Sequence, residues 1–246
     1  MREAYDGIGA DALAGRLGVP RVALFAEVAS TQDVAHALAG EGAADGTLVL
    51  ADAQSGGRGR AGRPWQSPPG SGVWLTVVTR PRDVDALEVL ALRVGLALAE
   101  ALAPLAPGPV GVKWPNDLLV GGRKLAGVLV EARWRDGRPE WAAVGVGVNV
   151  RPPATFDAAA ALRPDVARLA ALEATVAAVR SAAAARGPLA DGEVARLSAR
   201  DVVRGRAVLT PVQGVAAGVA ANGALLVRGA DGRVTAVRDA AVMFAP

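Results

Sequence analysis

The stretch "GTLVLADAQSGGRGRAGRPWQSPPG", residues 46–70, sets the first limit on the fold. Its apolar first half reads as a strand, and Gly57, Gly59 and Gly62 then spell G-x-G-x-x-G. A dinucleotide-binding turn of that pattern needs a helix directly after the glycines, because the pyrophosphate sits on the helix N-terminus. Pro64, Trp65, Ser67, Pro68, Pro69 and Gly70 follow instead, and that sequence resists a helix. Arg58 and Arg60 also crowd positions meant for close backbone approach. No G-x-x-x-x-G-K-[ST] occurs either, which excludes a P-loop. The chain must therefore come back from the loop as a second strand, and "GVWLTVVT" has the required composition.

Other segments fit that reading. "RVALFAEV" is a strand, Ser30-Thr31 supplies hydroxyls for the start of the next helix, and Gly40 ends it. A long amphipathic helix is predicted from about Val84 to Ala103, stopped near Pro104. "PVGVKW" is a short strand. "DLLVGGRKLAGVLVEARW" then reads as a hairpin turning at Gly121-Gly122, and a second hairpin turns at Asp136-Gly137 into "EWAAVGVGVNV". Val166, Leu169, Leu172, Val176 and Val179 recur at helical steps, with Arg168, Glu173 and Arg180 largely off their stripe. "GADALAGRLG" supplies one short helix near the start. Neighbouring strands in this number predict an α+β fold, a mixed β-sheet with packed helices. After Ala199 the texture changes to short strands separated by Asn222-Gly223 and Asp231-Gly232 turns, as expected for a small β-barrel. We therefore expect a main domain over residues 1–198 and a small one over 199–246.

Composition removes several chemistries. Just over half of the 246 residues are apolar, sufficient for a substantial core. There is no cysteine, so disulfides, thiolate catalysis and cysteine zinc sites are excluded, in keeping with a reducing cytoplasm. The single histidine, His36, is expected to be structural, so neither a Ser-His-Asp triad nor a multi-histidine metal site is expected. The first residues lack the pattern of a signal peptide, and no apolar run has the length of a membrane span. A net charge of +3 lends little support to nucleic-acid binding.

The choice of cations says more. Of 27 basic residues 25 are arginine, and the two lysines, Lys113 and Lys124, share the stretch "KWPNDLLVGGRKLAG". A compact ammonium is not interchangeable with a planar guanidinium, so its use only here marks the segment. The glycine-arginine loop carries Arg58, Arg60 and Arg63, which suit closure over phosphate or carboxylate oxygens. Its glycines predict a segment that is mobile until ligand orders it. The loop by itself fits equally a solvated surface loop or an arginine-glycine RNA-binding segment. Trp65 offers a flat face for a nucleobase. Gly145 and Gly147 alternate in one strand, which would let a ligand approach the sheet while Val144, Val146 and Val148 face the core.

Taken together, Ser30-Thr31, "GRGRxGRxW", "KWPND", "RKLAG" and "GVGVN" resemble the biotin–protein ligases, also called biotin–acetyl-CoA-carboxylase ligases, over most of the chain. The resemblance implies a class II synthetase-like catalytic domain and a C-terminal SH3-like β-barrel. It implies that Ser30, Thr31, Gln32 and Gln54 bind the ring end of biotin; the family often has Asn where Gln32 stands. Arg58, Gly59, Arg60, Lys113 and Gly127 would complete the biotin site. Arg58, Arg60, Arg63, Trp65, Lys113 and Asn149 would hold ATP and the adenylate, with Trp65 against the adenine. Lys113 and Arg58 would act in the chemistry.

That chemistry joins a biotin carboxylate to the α-phosphate of ATP, with Mg²⁺ expected and its protein ligands unassigned. Two anions about 4 Å apart repel by a few kcal/mol at an effective dielectric near 20, which explains the concentration of cations. The acceptor would be a lysine of a biotin carboxyl carrier protein. Asp117 is either the base for that lysine or a turn-fixing residue; Lys124 is either functional or the partner of a carboxylate. The residues ahead of the first core strand are too few for a helix-turn-helix, so no direct DNA binding is expected. An exposed sheet edge would serve homodimerisation or carrier docking. A lipoate or octanoate ligase, and a non-catalytic nucleic-acid-binding module, are the alternatives.

Overall fold

A computed structural model describes residues 3–81, 83–151, 159–238 and 242–245. The chain begins with a hairpin of two short strands, β1 (Ala4–Tyr5) and β2 (Ile8–Gly9), and helix α1 (Ala10–Leu17). Strand β3 (Val22–Val28), helix α2 (Thr31–Gly40) and strand β4 (Leu48–Gln54) follow, then β5 (Gly72–Thr79), α3 (Val84–Glu88) and α4 (Leu90–Leu102). Next come β6 (Gly111–Lys113), β7 (Asp117–Val120), β8 (Arg123–Arg135), β9 (Arg138–Asn149), α5 (Arg168–Ala184) and α6 (Asp191–Arg200). Five short strands complete the order: β10 (Ala207–Thr210), β11 (Gly214–Val219), β12 (Leu225–Arg228), β13 (Val234–Val237) and β14 (Met243–Phe244).

Seven strands form one mixed sheet in the order β3-β4-β5-β9-β8-β7-β6. Only β3 and β4 run parallel, joined by α2 as the crossover; every other neighbouring pair is antiparallel. The glycine-arginine segment is thus a β4–β5 connection between antiparallel strands, as the absence of a following helix requires. Both expected hairpin turns form with positive φ, Gly121 and Gly122 at 56° and 77°, Asp136 and Gly137 at 50° and 74°. Asp136 tolerates that region better than most residues with a Cβ.

Alternation along the strands divides the apolar residues between two faces. Leu48 and Leu50, Val144, Val146 and Val148 join the main core. That core also takes Leu90, Val94 and Leu98 from α4, and Leu172, Val176 and Val179 from α5. On the opposite face, Val49, Val78 and Trp141 pack with Ala35 and Ala39 of α2 in a second, smaller cluster. Helix α2 covers only part of that face, and the uncovered part holds the site.

Three features differ from the sequence expectations. The helix expected over 84–103 is broken at Val89, which has φ −99° and ψ 0°. Asp83 caps α3 by accepting from Ala86 N–H and also accepts from Gly187 N–H, and Leu87 of α3 packs against the edge of the core that α4 enters. Arg168, placed off the apolar stripe, is instead largely buried: it lies 4.2 Å over the Tyr5 ring and pairs with Asp6 and Asp52. Helix α6 carries no strong apolar stripe and escaped the sequence reading. It is anchored by Leu197 and by Glu193, which accepts from Ala190 N–H at 2.8 Å.

Strands β10–β14 form a separate antiparallel sheet in the order β13-β12-β11-β10-β14. Its turns fall at Asn222-Gly223 and Asp231-Gly232, as the sequence predicts. Among the described residues no pairing links β13 to β14, so the small C-terminal β-sheet expected is present with five strands, without a closure of the barrel being shown.

Candidate functional site

The site is built from residues that leave the sheet at one end. Ser30 and Thr31 stand at the N-terminus of α2, where Ser30 Oγ accepts from Gln32 N–H at 3.3 Å. Gln54, the last residue of β4, accepts from both Thr31 N–H and Thr31 Oγ–H, at 2.9 and 3.1 Å. Thr76 donates to Thr31 Oγ1 at 2.9 Å, while Gln54 Nε2 donates to Ser67 Oγ at 2.8 Å. This chain of bonds ties the helix start to both ends of the β4–β5 connection.

Inside that connection, Trp65 N–H donates to Gly57 O and Gly59 N–H to Arg63 O, each at 2.8 Å. A Cβ at Gly57 would stand 2.5 Å from Trp65 O, so the close crossing requires glycine there. The loop is therefore folded back on itself and carries Trp65 down onto the sheet.

The strand surface over Gly145 and Gly147 is approached by side chains of the protein itself. A Cβ at Gly147 would meet the Trp65 indole at 2.5 Å, and one at Gly145 would meet the Gln32 amide at 3.1 Å. Side chains thus approach the strand at both glycines, which also border the cavity described below. Trp65 also stacks edge-on against Trp74, with ring centroids 6.2 Å apart, and Lys124 Nζ lies 5.0 Å over its ring. We expect Gly147→Ala to displace the indole and to destabilise the protein by about 1–3 kcal/mol, the usual cost of overpacking. Faster tryptic cleavage after Arg58 and Arg60 checks it, Arg63 being protected by Pro64; unchanged cleavage and stability would contradict the packing argument.

Around this floor lies a cavity of about 510 Å³, bordered by Ser30, Gln32, Gln54, Arg58, Trp65 and Lys113 among others. Small-molecule sites run from roughly 300 to 1,000 Å³, so the space is of the right order. Lys113, at the end of β6, and the Arg58–Arg63 segment, far away in sequence, border the same space. Thr31, Gly59, Arg60, Arg63 and Gly127 also line it. Asn149 does not: it is buried, and its amide donates to Lys124 O and Ala160 O, both at 3.1 Å.

The cations differ in how they are used. Among the described residues the side chains of Lys113, Arg60 and Arg63 make no hydrogen bond or ion pair. Arg58 is paired with Asp33 at 2.8 Å and with Glu131 at 3.0 Å. Its hydrogen bonds to Asp33 and then to Glu131 raise its pKa above the already high arginine value, against the opposing effect of burial. Lys124 Nζ lies 2.7 Å from Asp117 Oδ1, and this ion pair borders the cavity.

Two polar atoms at the floor are buried without a partner, Gln32 Oε1 and Trp65 Nε1. Gln32 Nε2 donates to Leu129 O and Ala143 O at 3.3 and 3.4 Å, which orients the amide and leaves its oxygen as a spare acceptor. A buried acceptor of this kind is costly unless a donor reaches it. No group of three His, Asp or Glu side chains able to hold a metal ion occurs among the described residues.

Sequence reasoning missed several residues at the site. Trp114 borders the cavity, and its Nε1 donates to Gly223 O at 3.0 Å, joining the "KWPND" segment to the second sheet. Phe244, at the end of β14, and Val242, the residue just before that strand, border the cavity too. Nothing in local spacing signals those contacts, because they arise only when the small sheet docks. Glu131 carried a weaker signal, as an acid shortly after the "RKLAG" motif, and Asp33 only its place two residues after Thr31.

Comparison with known proteins bears on what this cavity holds. Residues 24–149 match the model of the "Biotin/lipoate A/B protein ligase family". The chain is 39% identical over 125 residues to the bifunctional ligase/repressor BirA of Bacillus subtilis, covering 50% of this chain and 38% of that protein. It is 39% identical over 133 residues to the biotin–[acetyl-CoA-carboxylase] ligase of Mycobacterium tuberculosis, covering 52% of this chain and 48% of that one. The aligned part thus spans less than half the length of these relatives. A solved structure of the biotin protein ligase from Aquifex aeolicus with biotin and ATP superposes with a TM-score of 0.75 at 24% identity, over 91% of this chain and 98% of that one. That likeness extends the shared fold through the second sheet. No helix among the described residues is long and apolar enough to cross a membrane.

Proposed function

Because the chain belongs to the biotin/lipoate A/B protein ligase family, we propose that it is an ATP-dependent biotin–protein ligase. In the first step a biotin carboxylate oxygen attacks the α-phosphorus of ATP, and the bond to pyrophosphate breaks. In the second the amine of an acceptor lysine attacks the acyl carbon of biotinyl-5′-AMP. An amide forms, AMP leaves and the amine's surplus proton passes to solvent or to a base. The acceptor is a lysine of a biotin carboxyl carrier protein; the Mycobacterium tuberculosis relative is named for acetyl-CoA-carboxylase.

One observation carries the reading. Lys113 and the Arg58–Arg63 segment border one cavity whose floor has a buried, unpartnered acceptor, Gln32 Oε1. The cations suit a site where carboxylate and phosphate must meet, and their preorganisation lowers the barrier by stabilising charge that the transition state concentrates. Of the cations bordering the cavity, Lys113, Arg60 and Arg63 have no side-chain partner among the described residues, so they are the first assigned to the anions. The carboxylate is already ionised at neutral pH, so no protein base is needed for the first step. Trp65 and the loop would shield the mixed anhydride from water. The described residues offer Mg²⁺ no cage of their own, and an ion in this site would be held by the nucleotide's phosphate oxygens.

Gln32 Oε1 also favours biotin over lipoate. A ureido ring presents N–H donors, whereas a dithiolane presents none. Pure folded protein is expected to exchange labelled pyrophosphate into ATP only when biotin is present; absence of exchange would sink the proposal. In thermal-shift experiments saturating biotin should stabilise the protein by about 2.7 kcal/mol at 100 times its Kd. A shift with lipoate alone would transfer the assignment to a lipoate ligase.

A further inference from the structure

The Arg58 guanidinium, His36 and Trp141 meet at one carboxylate, Glu131. Arg58 Nε donates to Glu131 Oε1 at 3.3 Å and Nη2 to Glu131 Oε2 at 3.0 Å, a bidentate pair. On the other side of Glu131, His36 Nε2 stands 3.2 Å from Oε2. His36 Nδ1 accepts from Trp141 Nε1–H at 2.9 Å. An indole N–H is a donor only, so Nδ1 must be the acceptor and the ring proton must sit on Nε2, directed at Glu131. Trp141 thereby selects the tautomer of the chain's single histidine.

These residues come from three elements and the loop. Asp33 and His36 lie three residues apart on α2, Glu131 is on β8 and Trp141 on β9. Helix α2 and strand β9 pack through the small cluster that includes Trp141 and Ala35. The network therefore rests on a rigid floor, while Arg58 sits on the glycine-rich connection. Three donor contacts, two to Glu131 and one to Asp33, fix the guanidinium plane and leave its Nη1 hydrogens without a partner among the described residues. A bidentate carboxylate constrains a guanidinium in angle as well as in distance. Without it, an arginine on a glycine-rich loop would sample many rotamers, each costing entropy when a ligand selects one.

We propose that Glu131 is a positioning residue for Arg58 in the adenylation site and that His36 acts through Glu131. Glu131 holds the guanidinium so that its free edge meets the carboxylate of biotin; His36, oriented by Trp141, keeps Glu131 in the rotamer that does so. The inference rests on the ligase reading above and goes beyond it, giving a role to a histidine that touches no substrate. It also separates Arg58, which is held, from Arg60 and Arg63, which are not.

The test is biotin binding and pyrophosphate exchange with Glu131→Gln, His36→Ala and the double variant. Glu131→Gln is expected to raise the biotin Kd and KM about tenfold, with the ATP KM within twofold, because one near-isosteric change removes the charge-assisted bidentate hold. His36→Ala should raise the biotin KM about threefold, and adding it to Glu131→Gln should change nothing further, as expected for residues acting in series. A structural role alone would lower the melting temperature without this split between the two substrates. The ring ¹⁵N shifts of His36 in the free wild-type protein at pH 8 should show a proton on Nε2 and none on Nδ1, independently of activity. Wild-type exchange together with an unchanged biotin Kd in Glu131→Gln overturns the positioning role alone. Independent, multiplying effects of the two substitutions, or a proton on Nδ1, overturn the part assigned to His36. Wild-type protein without biotin binding or exchange overturns the ligase reading, and this inference with it.

Discussion

Lys113→Arg is expected to lower biotin-dependent pyrophosphate exchange by about 100-fold although it keeps the positive charge, the scale on which a misplaced charged group costs rate. Lys113 ends the three-residue strand β6, whose neighbour Val112 bridges to Asp201 and whose partner β7 holds it on one side. The backbone has little freedom to retreat there. An ammonium is a compact charge that can approach two oxygens from different groups, whereas a guanidinium is a planar fork with a longer reach and a fixed donor pattern. In the cavity Lys113 faces Arg60 and Arg63, which already supply forks. A third fork would duplicate their geometry and push against the loop. The measurement is the exchange rate at saturating ATP, with biotin Kd determined separately. Exchange within threefold of wild type would remove the argument that the chain uses its rare lysine for a reason.

Glu193→Ala is expected to destabilise the fold by about 3–5 kcal/mol, the cost of leaving a buried charge without its partner. Arg93 in α4 is only 3% exposed, yet it carries a full charge into the interface with α6. Its Nε donates to Glu193 Oε1 at 2.7 Å, and Nη2 donates to Pro188 O at 2.7 Å and Gly187 O at 3.2 Å. Glu193 is more open to water, so Arg93→Met should cost less than Glu193→Ala: the remaining carboxylate can be solvated and still accept from Ala190 N–H. Burial pushes the Glu193 carboxyl upward, but the Arg93 hydrogen bond, the Ala190 N–H and the charges of Arg93 and Arg196 outweigh it and hold the group below its ordinary 4.5. A depressed carboxyl stabilises the folded state above the unfolded-state value and loses that contribution as pH falls through the folded one. The stability gap between wild type and Glu193→Ala should therefore be full at pH 7 and shrink below about pH 4.5. Urea denaturation at both pH values reads it; a gap under 1 kcal/mol at pH 7 would show that the pair is dispensable.

Much of the architecture follows from local chemistry that the sequence displays. Two turns with residues suited to positive φ, at Gly121-Gly122 and Asp136-Gly137, dictate the β7–β8–β9 meander. The prolines after Gly62 forbid a helix and so force β5 back beside β4. The single parallel pair, β3 with β4, was legible only as two strands around a helix, because direction is decided by where α2 packs. The break at Val89 was invisible for a similar reason: residues on both sides are good helix formers, and the bend comes from Asp83 binding Gly187, more than a hundred residues later.

The site divides the same way. Its residue types were readable because their chemistry is uncommon in this chain: two lysines among 27 basic residues, and arginines clustered between glycines. Their use was not. A string of letters names Arg58 as a cation, but only the folded chain shows its charge met by Asp33 and Glu131 while Arg60 and Arg63 have no partner among the described residues. Likewise Gly147 announced close approach without saying what approaches, and the answer is Trp65. By itself the sequence determined the strand-and-turn plan and the set of charged groups, since backbone conformational limits and side-chain identity are properties of neighbouring residues. The tertiary structure decided which charges cancel, which acceptor remains spare and which strands reach the cavity. Those outcomes depend on distances between residues far apart along the chain, and distance alone sets whether two charges neutralise each other or remain for a ligand.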